Sequence, residues 1–281
     1  VIVVAAVAFV HVWYFKPYKI DWFYGKTFLQ FALQSPQMLS SMRILPPWAD
    51  FYSDRLDDAS PRHADEMAAL VKADLDMLHR YDRAALDDEG KLSYDALEFF
   101  LKDQVEGERF RYNDFPVNQM FGIQSNLPNF MADTHQVNNT SDAESYIKRL
   151  DLFPVQFAQV IEGLKLRESS GAVPPKFTVD KVLEQMSGFI AMPARENMLY
   201  TSFQDKLAKL GSGKLDQARQ DDLLARAQAA IDGKVYPAYR ELIAYFTALQ
   251  PKATQNLGAW SLPDGDAYYA WCVRSHTTTD M

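Results

Sequence analysis

Cysteine is the scarcest informative residue in this chain of 281 amino acids, with Cys272 the only one. A single thiol excludes an intrachain disulfide framework and cysteine-rich zinc sites, and it leaves the redox compartment open. Glycine is also sparse, at 12, while Leu, Ala, Glu, Gln, Lys and Met are plentiful, a balance that favours helices over a turn-rich β fold. Positive charge is in deficit: 29 Lys and Arg stand against 37 Asp and Glu, for a net charge of -8. A general nucleic-acid binder needs a basic face to neutralise phosphates, so no nucleic-acid partner is expected.

Familiar catalytic signatures are missing as well. None of the five histidines sits in a His-Glu-x-x-His pair, whose spacing would put two metal ligands on one helix face: Ala64 follows His63, Arg80 follows His79 and Thr277 follows His276. There is no Gly-x-Ser-x-Gly elbow, no Gly-x-x-x-x-Gly-Lys phosphate loop and no dinucleotide fingerprint. Asp264 and Asp266 are spaced like calcium-loop ligands, but the rest of that loop is absent, and Pro263-Asp264-Gly265 reads as a turn. No carboxylate pair can be assigned to acid and base roles. Catalytic residues and metal ligands are therefore both assigned to none.

What is present is a globular body, with 48% hydrophobic and 23% charged residues. Val1 to Phe15 is apolar apart from His11. Fifteen helical residues span roughly 22 Å, short of a hydrocarbon core of about 30 Å unless apolar residues precede them. Trp13 and Tyr14 beside Lys16 and Lys19 suit a membrane interface, so residues 1–15 are expected to be a partial transmembrane anchor. A buried core helix or strand is the competing reading of that run.

Helical spacing recurs down the chain. It covers Asp21 to Gln34, then a short helix capped at Ser35-Pro36, a long one opening at Ser60-Pro61 and fading near Asp87–Gly90, and another capped at Ser93. Residues 114–139, broken by Pro116, Gly122 and Pro128, lose all periodicity and read either as a cleft lining or as an ordered loop. His135 there is expected to be a hydrogen-bonded loop residue and not a ligand. Asn138-Asn139-Thr140 fits a glycosylation sequon, a pattern too short to weigh. Ser141-Asp142-Ala143-Glu144 reads as a capping box for a helix disturbed at Pro154. Further helices are expected from Thr178 to Pro193, from about 214 to 231, and from 235 to 249, with Asp232-Gly233 separating the last two. Residues 16–281 read as one mainly α, multi-helix domain.

The densest segment is the last, GAWSLPDGDAYYAWCVRSHTTTDM (258–281). If it is helical from Asp266, then Tyr269, Val273 and His276 share one face, with Tyr268 and Cys272 on the neighbouring stripe. Tyrosine hydroxyls and an imidazole so placed could bind a carboxylate or carbonyl or stabilise an oxyanion; the bland alternative is an ordinary helix with its aromatics in the core. The chain begins with Val1 and not Met and stops soon after this motif, so a piece of a longer protein is expected.

Several stretches resemble the bacterial domain-of-unknown-function 885 family, which looks related to helical zinc metallopeptidases of the gluzincin type. They are PVNQMFGIQSNLPNFM (116–131), DAESYIKRL (142–150), GAVPPKF (171–177), YPAYREL (236–242) and above all GAWSLPDGDAYYAWCVRSHTTTD (258–280); WYFKPYKIDWFYGKTFLQFAL near the start is similar to membrane-anchored members. The resemblance implies a mainly helical fold with one wall of a deep cleft. It also implies a zinc cofactor in the full-length protein, its ligands and catalytic glutamate lying downstream of this chain. Tyr268, Tyr269, His276 and Thr277 are the positions carried over, as residues facing a peptide-like substrate. The reading at this point is the N-terminal half of a membrane-anchored metallopeptidase of the bacterial envelope, its body periplasmic or extracellular and its partner the missing C-terminal half. The fragment alone is expected to be inactive. A noncatalytic helical binding or scaffold protein is the alternative, and a lipid carrier a more distant one.

Overall fold

The computed structural model of the chain describes residues 9–45, 47–211 and 215–279. Helices α1 (Ile20–Gln34) and α2 (Pro36–Met42) are followed by α3 (Pro61–Leu78), α4 (Asp88–Gly107) and the short α5 (Ile123–Asn129). Then come α6 (Thr140–Asp151), α7 (Phe153–Ser170), α8 (Lys176–Ala191), α9 (Met198–Leu210), α10 (Gln217–Ala230), α11 (Tyr236–Leu249) and α12 (Gly265–Thr277). Among the described residues, β structure is limited to one isolated bridge between Pro175 and Thr254. The fold is mainly α, as composition and spacing require.

Most of the expected anchor, residues 1–8 of 1–15, lies outside the described residues. Residues 9–14 are helical, and among the described residues no helix is long and apolar enough to cross a membrane.

Helix starts follow local side-chain chemistry. Ser35 accepts from the Met38 amide at 3.2 Å, and Pro36 fills the first helical position, where its missing N–H costs nothing. Asp87 caps α4 by accepting from the Gly90 amide at 2.8 Å, so the acidic run at 87–90 opens this helix and Ser93 lies inside it. Asn139, not Ser141, caps α6, accepting from the Asp142 amide at 2.9 Å. Glu144 is thereby released from a capping role and pairs with Arg219 and Arg226 on α10.

Two expected interruptions behave differently. The chain breaks at Leu152, so Pro154 sits in the first turn of α7, where proline is well tolerated. Asp232-Gly233 falls in a π-helical turn (Ile231–Val235) that carries α10 directly into α11. Residues 114–139 likewise hold more helix than their spacing suggests, since α5 runs into a second π-helical turn at Phe130–Thr134. Helix α9, capped by Asn197, has no counterpart in the sequence reading. Gly171 ends α7 at φ 89°, the left-handed region a Cβ disfavours, and its own amide and that of Ala172 close the last turn with bonds to the Glu168 and Arg167 carbonyls.

The chain divides into two compact units. Among the described residues, the first takes those within 1–34, 62–111 and 270–281, and the second those within 35–61 and 112–269. In the first, α1, α3 and α4 bury Phe23, Leu78 and Leu101 completely, along with Ile20, Val71 and Tyr94. The C-terminal part of α12 belongs to it: Trp271 lies on Gly107, where a Cβ would strike the indole, and its Nε1 donates to the Asp103 carbonyl at 3.3 Å. Ser275 donates to Asp103 Oδ2 at 2.8 Å.

The second unit has the larger core. Helix α11 packs on α7 and α8, and α10 packs on α6 and α9. Tyr146 stacks on Phe203 at 4.5 Å, and Tyr239 stacks on Phe189 at 4.5 Å and meets Phe157 edge-on at 5.0 Å. Their hydroxyls are satisfied as burial demands: Tyr146 donates to the Leu199 carbonyl at 2.8 Å, and Tyr239 donates to the Gln124 carbonyl. The second bond fastens the 114–131 segment to the core, which allows a stretch without periodicity to be ordered.

Candidate functional site

The second unit carries a cleft of about 560 Å³. Three separate segments build it: residues 113–121, the turn around Val173 and Pro175, and residues 254–262, with Tyr268 from the first turn of α12. Each is fixed by backbone-directed bonds. Asn113, buried, donates to the Pro263 carbonyl at 2.7 Å and so ties the first segment to the last. The Lys176 amide donates to the Thr254 carbonyl at 2.8 Å beside the isolated bridge.

Asn118 is the organiser of the first wall. Its Oδ1 accepts from the amides of Met120 and Phe121 at 2.9 and 2.8 Å, and its Nδ2 donates to the Phe115 carbonyl at 2.8 Å. That is an Asx turn, in which a side chain substitutes for the backbone partner the loop lacks. Gln124, also buried, donates to the Asn118 carbonyl at 2.6 Å. Gly122 is needed here because a Cβ would collide with the Asn118 backbone. The turn leaves Phe121 largely exposed at the rim, and Leu257 is exposed on the opposite segment.

On the far side, Gly265 opens α12 against the Ala259 carbonyl with no room for a side chain, and Asp264 takes the left-handed φ of 49° that completes the turn. Tyr268 lines the cleft as a result. Of the other positions suggested by sequence, Tyr269 is exposed and is not among the lining residues. His276 Nδ1 contacts the Cys272 carbonyl at 2.7 Å and Thr277 Oγ1 donates to the Val273 carbonyl at 2.7 Å, both one turn back on their own helix.

The lining residues outside the stretches quoted from the sequence are Asn113, Asp114, Phe115, Thr254, Asn256 and Leu257. Asp114 is held by Arg167, whose Nε donates to Oδ1 at 2.9 Å and to the Asp114 carbonyl at 3.1 Å, while Nη2 donates to Oδ1 at 2.5 Å. No periodic signal marks these residues, because each lies outside a helix.

A second polar cluster of this unit is closed to solvent. Arg149, fully buried, donates to the Arg55 carbonyl at 2.7 Å, Ser40 Oγ at 2.6 Å and the Tyr52 carbonyl at 3.1 Å, with His135 Nδ1 2.7 Å from Nη1. An arginine can only donate, so His135 Nδ1 is the acceptor, and Nε2–H points to the Asp142 carbonyl at 3.1 Å. Burial, then the Arg149 charge, holds the His135 pKa down at about 3. This imidazole is neutral, fixed in one tautomer and fully partnered, which agrees with the hydrogen-bonded role expected of it. Lys206 seals the cluster's edge with bonds of 2.6 Å to the Met131 and His135 carbonyls, and burial lowers its pKa to about 8.

Zinc, implied by the family resemblance, needs three or four converging His, Cys or carboxylate ligands. Among the described residues no group of three or more such side chains gathers, so the residues here do not fit a zinc site.

Comparison with known proteins places these features in a family. The family described as bacterial protein of unknown function (DUF885) matches residues 36–281, a span that includes every segment of the cleft. No curated protein matches the chain. A crystal structure of a "putative lipoprotein" from Colwellia psychrerythraea superposes with a TM-score of 0.80 at 19% identity. The match covers 92% of this chain and 47% of that one, so the fold is shared and the chain spans about half the length of its neighbour.

Proposed function

Because this chain belongs to the bacterial DUF885 family of unknown function, we propose that it contributes one wall of the substrate cleft of an envelope zinc metallopeptidase acting on peptide or amide bonds. The observation that carries this reading is convergence. Residues within 116–121, 173–175 and 258–268, far apart in sequence, meet around one cleft of about 560 Å³, a volume within the range of small-ligand pockets. The cleft offers apolar faces with a few fixed polar groups, as a peptide binder requires.

Zinc belongs to this proposal only as a group held by residues outside the present chain. The part these residues play is to bind and orient: Phe121 and Leu257 cover apolar side chains at the rim, and Tyr268 bounds the cleft wall. Tyr269, His276 and Thr277 are proposed as contacts only once the remainder of a longer protein is in place. The neighbour's length, about twice that of this chain, supports such a remainder, and its naming as a lipoprotein supports the envelope.

The test is to purify the protein encoded by the natural gene and incubate it with a mixed peptide library, with and without a chelator. Hydrolysis that stops on chelation, and a Tyr268→Phe variant whose KM rises several-fold with kcat retained, are expected. The chain of 281 residues alone should bind peptides and not cleave them. Tight peptide binding by the natural protein with no hydrolysis would instead assign the noncatalytic binding role.

A further inference from the structure

Asp114 is the one charged side chain among the described residues that line the cleft. Around it the lining is aromatic, aliphatic or neutral polar, with Phe115, Phe121 and Tyr268 supplying three rings and Asn256 an exposed carboxamide. A carboxylate in such a setting, even one paired with a guanidinium, biases what can enter.

The carboxylate is also held in a particular way. Both guanidinium bonds from Arg167 go to the same oxygen, Oδ1, and a third goes to the Asp114 backbone. Among the described residues Oδ2 receives no hydrogen bond, and the side chain is 57% exposed while that of Arg167 is only 15% exposed. Arg167 is anchored from behind by the Gly163 carbonyl at 3.1 Å and by the ring of Tyr112 at 5.6 Å. The positive partner is thus withdrawn, and the negative one is presented with an acceptor in hand.

We propose that this cleft selects ligands carrying an organic cation, and that Asp114 is the contact that recognises it. The ammonium or guanidinium would donate a charge-assisted bond to Asp114 Oδ2, with the neighbouring rings offering their negative faces. An anionic group at the same place would meet Asp114 as a like charge, with Arg167 already committed. In a peptide the cation has two sources, a free amino terminus and a basic side chain, and the chemistry of recognition is shared. This inference rests on the reading of the cleft as a peptide site and narrows it.

Four tetrapeptides separate the sources and the ideas. Two have a free amino terminus and two are acetylated; within each pair, one carries lysine and the other norleucine, and all are amidated at the carboxyl end. Calorimetry or fluorescence anisotropy with the intact protein gives the affinities. A peptide with the recognised cation is expected to bind about tenfold tighter than its neutral counterpart, with the preference fading as salt is added. Asp114→Asn, which keeps an oxygen for Arg167, should bring that preference to within about twofold. An unchanged melting temperature shows that this variant is folded, and Phe121→Ala, an exposed rim change, should lower the preference a few-fold as an independent check. Equal affinity for charged and neutral peptides would overturn the cation preference and leave the peptide cleft standing. Failure of all four to bind would overturn both.

Discussion

The Arg149 guanidinium donates to the Arg55 and Tyr52 carbonyls, Ser40 Oγ and His135 Nδ1, none of them a carboxylate. Such a group is well satisfied as it stands and costly to disturb, because removing the guanidinium leaves carbonyls and His135 Nδ1 dry and unpaired. Lysine cannot reproduce the planar fork, so Arg149→Lys should destabilise by about 3–5 kcal/mol, nearly as much as Arg149→Met. Urea unfolding followed by circular dichroism measures this, and a loss under about 1 kcal/mol for the lysine variant would contradict it. The role of His135 could be anticipated from its loop setting. That of Arg149 could not, since Ser40, Tyr52 and Arg55 are about a hundred positions away and nothing local announces them.

Helix boundaries show which local signals are reliable. Ser35-Pro36 is unambiguous because an acceptor side chain and a missing donor both suit a first turn. Asp87 to Gly90 is ambiguous in isolation: glycine after acidic residues serves equally as a stop or as a first turn, and only the bond from the Gly90 amide to Asp87 decides it. Asp87→Ala should therefore cost about 1 kcal/mol, while Ser93→Ala, inside α4, should cost far less. Thermal melts of the two variants side by side would reverse the assignment if Ser93 proved the more sensitive. The π-helical turns at 130–134 and 231–235 were illegible for another reason: one extra residue shifts the apolar stripe by about 100°, so a period of 3.6 appears to end where the helix continues. Gly107 belongs to this scale too. Its backbone is the seat of Trp271, and Gly107→Ala should destabilise by about 1–3 kcal/mol through overpacking, with a shift in tryptophan fluorescence.

At the scale of the molecule, each unit holds a buried titratable group, and the two respond to pH in opposite senses. In the second unit, His135 titrates at about 3 when folded and near 6.5 when unfolded, so between those values the unfolded chain binds the extra proton. Its neutral, buried form is therefore a source of stability present above pH 6.5 and lost as pH falls toward 3. The charges that face it, Arg149, Lys206 and Arg43, all oppose its protonation, and only the Asp142 carbonyl favours it. In the first unit, Asp74 is almost fully buried with Oδ2 unpartnered, and burial raises its pKa to about 6 against the pull of Lys26. Here the folded form holds the proton more tightly, so the cost is absent below about pH 4 and complete above pH 6. Acidification from pH 6.5 to 4 should then weaken the His135 unit and relieve the Asp74 unit. Asp74→Asn ought to stabilise at pH 7 and be near neutral at pH 4, while His135→Gln ought to destabilise at pH 7 and flatten the loss on acidification. Unfolding free energies at the two pH values test both, and parallel pH slopes for wild type and the two variants would show that neither group governs the response. Composition could establish that the chain is helical and acidic, but not this opposition, because it arises from which side chains among dozens of ionisable ones are enclosed.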